Sequence, residues 1–484
     1  MIPLLSFLWA CQPKPQPVES PVQTGPARIH HERPASLERK PFSVPTLTKG
    51  TLSNGVDVYV NSNHKVPLVR IWLSLDAGSW TDPDDQIGLA QASMDMLDEG
   101  SQNITGAELS QKLRALGSTL KVQSGRDGSV IRIQSLKSNL NQTLELISQV
   151  VQQPLFSESI WERKQKEYIQ NLAQTHSQPR NISRLVAAKL LYGNKYVGRL
   201  QKEEHILSIN TSAMQKWYQN HLRPEHAQFW VGGATSLEEI TPLLEQHFSS
   251  WQSQSTKTFP KKPSAISLEE PTRSFIYMVD VPNASQSVIR FAQGVSKETD
   301  PESTALKVAN QCIGGMFTAR INSNLREDKG WTYGAWSWLS YNYFPGSFNI
   351  GTSVVTQYTP DAIREIVREL RESKSQRPIT QEELDRAKGD LLGTFPSNFE
   401  KSSYLINSQL GILRYDLEQD WVSNYESRIS AIDLKTAQEV WNKTIDPESM
   451  FIIVVGDQTK LQPKLLELGY TIIPIDSYAQ KRKP

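Results

Sequence analysis

The stretch of sequence that organises this chain is Gly314-Gly315-Met316-Phe317-Thr318-Ala319-Arg320-Ile321-Asn322-Ser323-Asn324-Leu325-Arg326-Glu327-Asp328-Lys329-Gly330-Trp331-Thr332-Tyr333-Gly334. Paired glycines open it, and Arg326 and Tyr333 lie seven residues apart near its end. An Arg and a Tyr at one spacing are by themselves a weak motif, which a short amphipathic helix followed by a strand would also explain. The run as a whole is much more specific than this pair of residues.

The second half of the chain repeats the first half at a constant offset of 223 positions. The matching pairs are Leu140 with Ile363, Leu144 with Val367, Ile147 with Leu370, Ser157 with Thr380, Arg163 with Arg386, Pro224 with Pro447 and Gly233 with Gly456. A shared offset over so long a stretch indicates a tandem duplication of one unit of about 200 residues, because solenoid repeats are much shorter.

Each unit combines strand and helix patterns. Val56, Val58 and Val60 alternate as a strand after Asn54-Gly55, which predicts a hairpin with a type I′ turn. Arg126-Asp127-Gly128 predicts a second hairpin, and apolar residues at helical spacing follow it. Strands, then helices, then strands favour an α+β fold with two tandem homologous α/β-roll domains, each an antiparallel sheet flanked by helices.

The 484 residues divide into five predicted segments. These are a lipoprotein-type signal (1–11), a disordered Pro-rich tether (12–46), a first domain (47–250), a linker (251–272) and a second domain (273–475). The net charge of +1 mixes both signs evenly, so nucleic acid is not an expected partner.

The chain has two cysteines, Cys11 and Cys312, which exclude a disulfide framework. Cys11 follows a short apolar segment that ends in Ala10, and this resembles a bacterial lipoprotein signal with Cys11 as the lipidated residue. No Lys or Arg precedes the apolar run, so an accidental apolar N-terminus is the alternative. We expect a lipid-anchored membrane protein of the bacterial cell envelope that faces the periplasm.

The run from Gly314 to Gly334 resembles the C-terminal half of insulinase/pitrilysin-type zinc peptidases, the inverzincins, in the branch of paired subunits that includes the mitochondrial processing peptidases. In that family an Arg and a Tyr at this spacing hold the substrate backbone beside a zinc ion carried elsewhere. The resemblance covers about Leu47 to Leu468 and also implies the duplicated roll. It implies that Arg326 and Tyr333 bind substrate in this chain.

The zinc motif of that family, H-x-x-E-H on a helix, is absent from this sequence. Two His at i and i+4 share one helical face and reach the same metal, while the Glu activates a water molecule. Here the flanking Gly88-Leu89-Ala90 matches the family, but the two His and the Glu of the motif are missing. The degenerate zinc-site positions are Gln91 and Asp95 for the two His, Met94 for the general base, and Asn171 for a third ligand that is a Glu in the family. We therefore expect no cofactor in this chain and zinc in a partner subunit.

These observations predict a non-catalytic, substrate-binding subunit of a heterodimeric zinc metalloendopeptidase that cleaves peptides or unfolded segments. Its expected partners are a homologous subunit that carries H-x-x-E-H and a peptide substrate. The alternative is a catalytically dead family member that serves as a structural or peptide-binding scaffold. Retention of Arg326 and Tyr333 favours the first interpretation.

Overall fold

A computed structural model describes residues 42–263 and 265–481, which fall into two halves with nearly the same order of elements. The signal predicted for residues 1–11, its Cys11 and the tether up to residue 41 lie outside the described residues. None of the helices in the described ranges has both the length and the apolar character needed to cross a bilayer.

The first half contains eight strands and eight helices among the described residues. Its strands are β1 (Thr48–Thr51), β2 (Asp57–Ser62), β3 (Leu68–Leu75), β4 (Gly100–Ser101), β5 (Ile104–Thr105), β6 (Thr119–Ser124), β7 (Ser129–Leu136) and β8 (Ala227–Gly233). Its helices are α1 (Leu89–Asp95), α2 (Gly106–Ala115), α3 (Leu140–Gln152), α4 (Glu158–Ser177), α5 (Pro179–Tyr192), α6 (Glu203–Ser208), α7 (Thr211–His221) and α8 (Leu237–Phe248).

The second half begins after a segment in which the described residues form neither helix nor strand. Its strands are β9 (Phe275–Asp280), β10 (Gln286–Val295), β11 (Thr332–Ser340), β12 (Gly346–Val355), β13 (Phe451–Gly456) and β14 (Thr471–Ile475). Its helices are α9 (Ser303–Asn310), α10 (Arg320–Asn322), α11 (Thr359–Glu372), α12 (Gln381–Asn398), α13 (Ser402–Tyr415), α14 (Tyr425–Ala431), α15 (Leu434–Thr444) and α16 (Gln458–Glu467). Two π-helical segments, Gln311–Gly315 and Ser323–Asp328, lie on either side of α10.

Each half has one six-stranded sheet, with orders β1-β2-β8-β3-β7-β6 and β11-β12-β10-β13-β9-β14. The predicted fold class, α+β with two tandem α/β rolls, is confirmed. The sheets are mixed, however, because β2 runs parallel to β8, and β9 runs parallel to both β13 and β14. Helices lie between these paired strands in the sequence, and such long connections permit parallel pairing where a hairpin does not.

The first hairpin is present, but its predicted type I′ turn is wrong. β1 pairs antiparallel with β2, and five residues separate Thr51 from its partner Asp57. Gly55 has a φ of +87°, but Asn54 is not among the residues with positive φ, whereas a type I′ turn requires both. The Asn54 amide instead donates to the carbonyl oxygens of Phe248 and Trp251 at 2.9 and 3.1 Å. These tertiary contacts override the local preference of the Asn-Gly pair.

Each sheet packs one face on the helices of its own half. In the first half, buried side chains of the sheet such as Ile71 and Phe229 contact α3 through Leu144 and Ile147. The spacing that predicted α3 therefore marks its buried face. In the second half, Thr380 forms a capping box with Glu383 at the start of α12.

The opposite face of each sheet is covered by a helix from the other half. Helix α5 of the first half packs Ile182 and Val186 on Val455 and its neighbours in the second sheet. Helix α13 of the second half packs Ile406 and Leu410 on Trp72 and Trp230 of the first sheet. The two helices occupy the same place in the repeat, offset by 223 positions, so the exchange is reciprocal.

Candidate functional site

Three of the four degenerate zinc-site positions line one cavity of about 320 Å³ in the first half. Gln91 and Asp95 lie one turn apart on α1, and Asn171 comes from α4. The other lining residues, which the sequence analysis did not single out, are Tyr168, Leu172, Thr175, His176, Leu185, Leu200 and Gln201. Tyr168 could have been found from its position, because it precedes Asn171 by one helical turn on α4.

Hydrogen bonds engage the side chains that stand at the degenerate zinc-site positions. The Gln91 Nε2 donates to Asp95 Oδ1 at 2.5 Å, and the Tyr168 hydroxyl donates to Asp95 Oδ2. The Gln91 Oε1 accepts from the backbone N–H of Ser124, the last residue of edge strand β6, at 3.0 Å. Both carboxylate oxygens of Asp95 therefore accept hydrogen bonds, one of them from the side-chain amide of Gln91. These residues do not fit zinc, which needs imidazole, thiolate or free carboxylate donors.

The electrostatics of the cavity favour the same hydrogen-bonded arrangement. Burial raises the pKa of Asp95, although the hydrogen bond from Tyr168 opposes that shift. Burial and the Asp95 charge raise the pKa of Tyr168 well above its usual value. Tyr168 therefore remains a hydrogen-bond donor at neutral pH.

The fourth position, Met94, does not line this cavity. Its side chain is fully buried in the core of the first half. A thioether cannot take a proton from water. The position that is the general base in the family therefore contributes only packing here.

Acidic side chains near the cavity are paired with basic ones. Glu99 contacts Lys164 at 2.8 Å and Arg163 at 2.9 Å, and Arg163 also contacts Glu167 at 2.7 Å. Within the described ranges, no three His, Cys, Asp or Glu side chains are grouped so that they could hold a metal ion.

Helix α1, which carries the degenerate positions, is fixed by a buried carboxylate. Asp82 accepts the backbone N–H groups of Gly88 and Ala90, both at 2.8 Å, and is only 5% exposed. Arg199 donates to the carbonyl oxygen of Asp82 at 2.8 Å. Burial raises the pKa of Asp82 to about 6, against the lowering effect of its two backbone hydrogen bonds.

In the second half, Arg326 lies in the π-helical segment Ser323–Asp328, and Tyr333 lies on edge strand β11. Tyr333 is 93% exposed, and among the described residues its hydroxyl has no hydrogen-bond partner. The Arg326 side chain is 36% exposed, with its Nε 3.3 Å from Glu327 Oε1 and its guanidinium 4.4 Å above the Phe317 ring.

A buried asparagine and a β-bulge set the position of Tyr333. Asn322 donates to the carbonyl oxygen of Phe317 at 2.7 Å and accepts the N–H of Ala335 at 3.0 Å, which ties the glycine-rich turn to β11. Between Thr332 and Ala335 the register with β12 shifts. Such a bulge re-aims a side chain, and it leaves Tyr333 pointing away from the core.

Tyr333 has aromatic neighbours that were not predicted from the sequence as site residues. Tyr333, Trp336 and Trp338 line one groove of about 310 Å³ together with Arg180 from α5. Phe317 lies 6.3 Å from Trp336, centroid to centroid, and so links this groove to Arg326. The alternation of Trp336 and Trp338 with buried Ala335 and Ser337 is a signal that could have indicated this exposed face.

Known proteins match this chain over most of its length. The family model described as "Insulinase (Peptidase family M16)" matches residues 57–200, and "Peptidase M16 inactive domain" matches residues 208–391. The probable mitochondrial-processing peptidase subunit beta of Arabidopsis thaliana is 24% identical over 86% of this chain and 79% of its own length. The non-peptidase homolog YmxG of Helicobacter pylori is 20% identical over 84% of this chain and 93% of its own length.

A solved structure shares the fold. The crystal structure of a peptidase M16 inactive domain from Pseudomonas fluorescens superposes with a TM-score of 0.77 at 21% identity, covering 85% of this chain and 98% of that one. The two-domain architecture is therefore that of a known fold.

Proposed function

The chain belongs to the M16 (insulinase) peptidase family as a member without the H-x-x-E-H motif, and from this premise we propose that it is the substrate-binding subunit of a heterodimeric zinc metalloendopeptidase. A homologous partner would carry the zinc ion. This chain would contribute Arg326 and Tyr333, which bind the backbone of an extended peptide.

The exposure of Tyr333 carries this proposal. A tyrosine that is 93% exposed on an edge strand contributes almost nothing to the core, and it stands beside exposed Phe317 and Trp336. Clustered exposed aromatic residues are typical of interaction sites. The free hydroxyl of Tyr333 can donate to a substrate carbonyl oxygen, and a donor aimed at a developing oxyanion stabilises a transition state.

The first half supports a non-catalytic role. Its hydrogen-bonded Gln91, Asp95 and Tyr168 occupy the place of the metal site, and Met94 stands where the general base would be. The relative from Helicobacter pylori is also named a non-peptidase homolog.

Reconstitution with a homologous H-x-x-E-H subunit from the same source would test the proposal. Cleavage of an unstructured peptide is measured for each subunit alone and for the mixture. We expect little turnover from either subunit alone and a large gain from the pair. A partner that is fully active alone, or a mixture that gains nothing, would contradict the proposal.

The second candidate is a scaffold that binds peptides or proteins without a role in cleavage. Its support is the state of Arg326, which already contacts Glu327 and Phe317 within the chain. Copurification from the source separates the two candidates. An H-x-x-E-H subunit among the copurifying proteins favours the peptidase complex, and its absence favours the scaffold.

For the location, we propose a lipid-anchored protein of the bacterial cell envelope, because Cys11 follows an apolar segment that ends in Ala10. The mass of the native protein tests this. Acylation at Cys11 is expected, and an unmodified Met1 in a soluble fraction would contradict it.

A further inference from the structure

The groove beside Tyr333 continues along α5 as a strip lined by arginines. One part of it is lined by Arg180, Arg290, Trp336 and Trp338, and the next part shares Arg290 and Trp338 and adds Arg126 and Arg184. Its floor is the outer face of strands β10, β11 and β12, beyond the area that α5 covers, and its wall is α5 itself.

The geometry of α5 fixes the direction and length of the strip. Arg180 and Arg184 lie at i and i+4, so they share one face with Ala187, Ala188 and Leu191. Residues 180 to 191 of a helix span about 16 Å at a rise of about 1.5 Å per residue. An extended peptide of about five residues at about 3.3 Å each has the same length.

The four arginines of the strip lack acidic partners. Among the described residues, no carboxylate lies within 4.0 Å of Arg126, Arg180, Arg184 or Arg290, and no Asp or Glu lines either part of the groove. The nearest acidic residue in sequence, Asp127, is buried, and its charge acts on Lys262 and Arg414. Among the described residues, the four arginines of the strip therefore have no ion-pair partner.

Two of the four arginines, Arg180 and Arg290, make contacts with uncharged groups. The Arg290 Nε donates to Ser183 Oγ at 3.2 Å and its guanidinium lies 5.1 Å from the Trp338 ring. The Arg180 Nε donates to Ser353 Oγ at 3.2 Å. An added Cβ at Gly351 would come within 3.0 Å of the Trp338 ring, so this glycine lets the ring lie close to the sheet.

Their charges act on one another. Burial and, second, the charge of neighbouring Arg184 together lower the pKa of Arg290 to about 10. Partial desolvation and, second, the charge of Arg126 lower the pKa of Arg184, although its side chain is exposed. Both remain protonated at neutral pH, so within the described ranges like charges lie close together without an ion-pair partner. A ligand that supplies negative charge relieves this repulsion.

We propose that this arginine strip selects peptides that carry acidic residues on one side of the residue bound by Tyr333. The aromatic floor accepts apolar parts of the same peptide, and each guanidinium can pair bidentately with a carboxylate. This inference rests on the proposed peptide-binding function and adds the class of substrate to it.

The test uses the purified full chain and a fluorescent unstructured peptide in three versions, with Glu, Gln or Lys at its central positions. Binding is followed by fluorescence anisotropy at low salt. We expect the Glu peptide to bind about tenfold more tightly than the Gln peptide, a difference of about 1.4 kcal/mol. Two partly exposed ion pairs can supply this difference, since each contributes up to about 1 kcal/mol. The Lys peptide should bind most weakly, and added salt should reduce the difference.

Substitutions in the arginine strip test whether it causes the preference for the Glu peptide. Arg184→Gln and Arg126→Gln change exposed side chains, so they should fold normally, and combining Arg184→Gln with Arg290→Gln should abolish most of the preference for Glu. The matched control is Arg364→Gln, an exposed arginine on α11 that pairs with Asp361 at 2.8 Å, and it should bind like wild type.

The outcomes separate this inference from the function on which it rests. Equal affinity for the Glu and Gln peptides, or a preference that survives the strip variants, overturns the inference alone. If none of the peptides binds, the inference and the peptide-binding function both fail. A single-stranded oligonucleotide that displaces the Glu peptide more effectively than unlabelled peptide does would assign the strip to nucleic acid and overturn the peptide assignment.

Discussion

Replacement of Tyr333 by Phe should affect catalysis without affecting stability, because the hydroxyl group has no hydrogen-bond partner within the described residues. Tyr333 is 93% exposed and stands on an edge strand. Loss of its hydroxyl should change the free energy of unfolding by less than about 0.5 kcal/mol, as for surface positions in general. Loss of a preorganised donor to a developing oxyanion should lower kcat by about 10²–10³-fold, or about 2.7–4 kcal/mol.

The assay is steady-state cleavage of an unstructured peptide by the reconstituted pair, alongside thermal unfolding of the chain alone. A matched control is Tyr59→Phe, on β2 of the first sheet. The Tyr59 ring stacks on Trp230 at 4.3 Å, and its hydroxyl makes a long contact of 3.4 Å with Asp57 and interacts with Lys49 at the surface. This control should leave both kcat and stability nearly unchanged.

Two results would contradict a role of the Tyr333 hydroxyl in catalysis. If kcat/KM is the same for wild type and Tyr333→Phe, the hydroxyl does not act on substrate. If Tyr333→Phe loses activity and unfolds at a much lower temperature, the residue has a structural role that its exposure does not explain. A rise in KM with kcat unchanged would limit Tyr333 to uniform binding of substrate.

Three further outcomes are expected. Arg326→Ala should raise KM of the pair while costing only about 1 kcal/mol of stability, since it loses one exposed ion pair and the contact with Phe317; an unchanged KM would exclude a substrate contact. The purified chain should hold no stoichiometric zinc, and elemental analysis that finds one tightly bound ion per chain would contradict this. The pKa of Asp82 is higher in the folded state than in the unfolded state. Its contribution to the free energy of unfolding is therefore most favourable below about pH 4 and declines by about 3 kcal/mol as pH rises through about 6. In Asp82→Asn, the free energy of unfolding should depend less on pH across that range. If its pH dependence is the same as in wild type, the pKa of Asp82 is not raised.

The duplication and the element order could be predicted because both are written in local patterns. The apolar spacing from Leu140 to Val151 marks α3, and the Thr380 capping box marks the start of α12. The turn type at Asn54 could not be predicted, because its amide is held by carbonyl oxygens almost two hundred residues away. Whether α5 covers its own sheet or the other one is likewise not specified by its amphipathic pattern, since both sheets offer an apolar face.

Residues of the candidate site could be predicted from the sequence only where they align with a family motif. Gln91, Asp95 and Asn171 do meet at one cavity, but their hydrogen bonds to Tyr168 and Ser124 depend on how α1, α4 and β6 pack. The arginine strip draws on α5, on β10 and on the turn between β6 and β7, which are far apart in the chain. No local motif could have assembled it.

The reciprocal cover of the two sheets by α5 and α13 bears on how such a chain could arise. A single copy of the repeat would expose one bare sheet face and one apolar helix, and a second copy would cover both by exchanging that helix. The ancestor of this architecture is then best pictured as a swapped homodimer, and gene fusion needed only a connection between α8 and β9 to make it permanent. Once fused, the two copies were free to differ, and here the pocket of one is lined by Gln91, Asp95 and Asn171, while the edge strand of the other carries the exposed Tyr333.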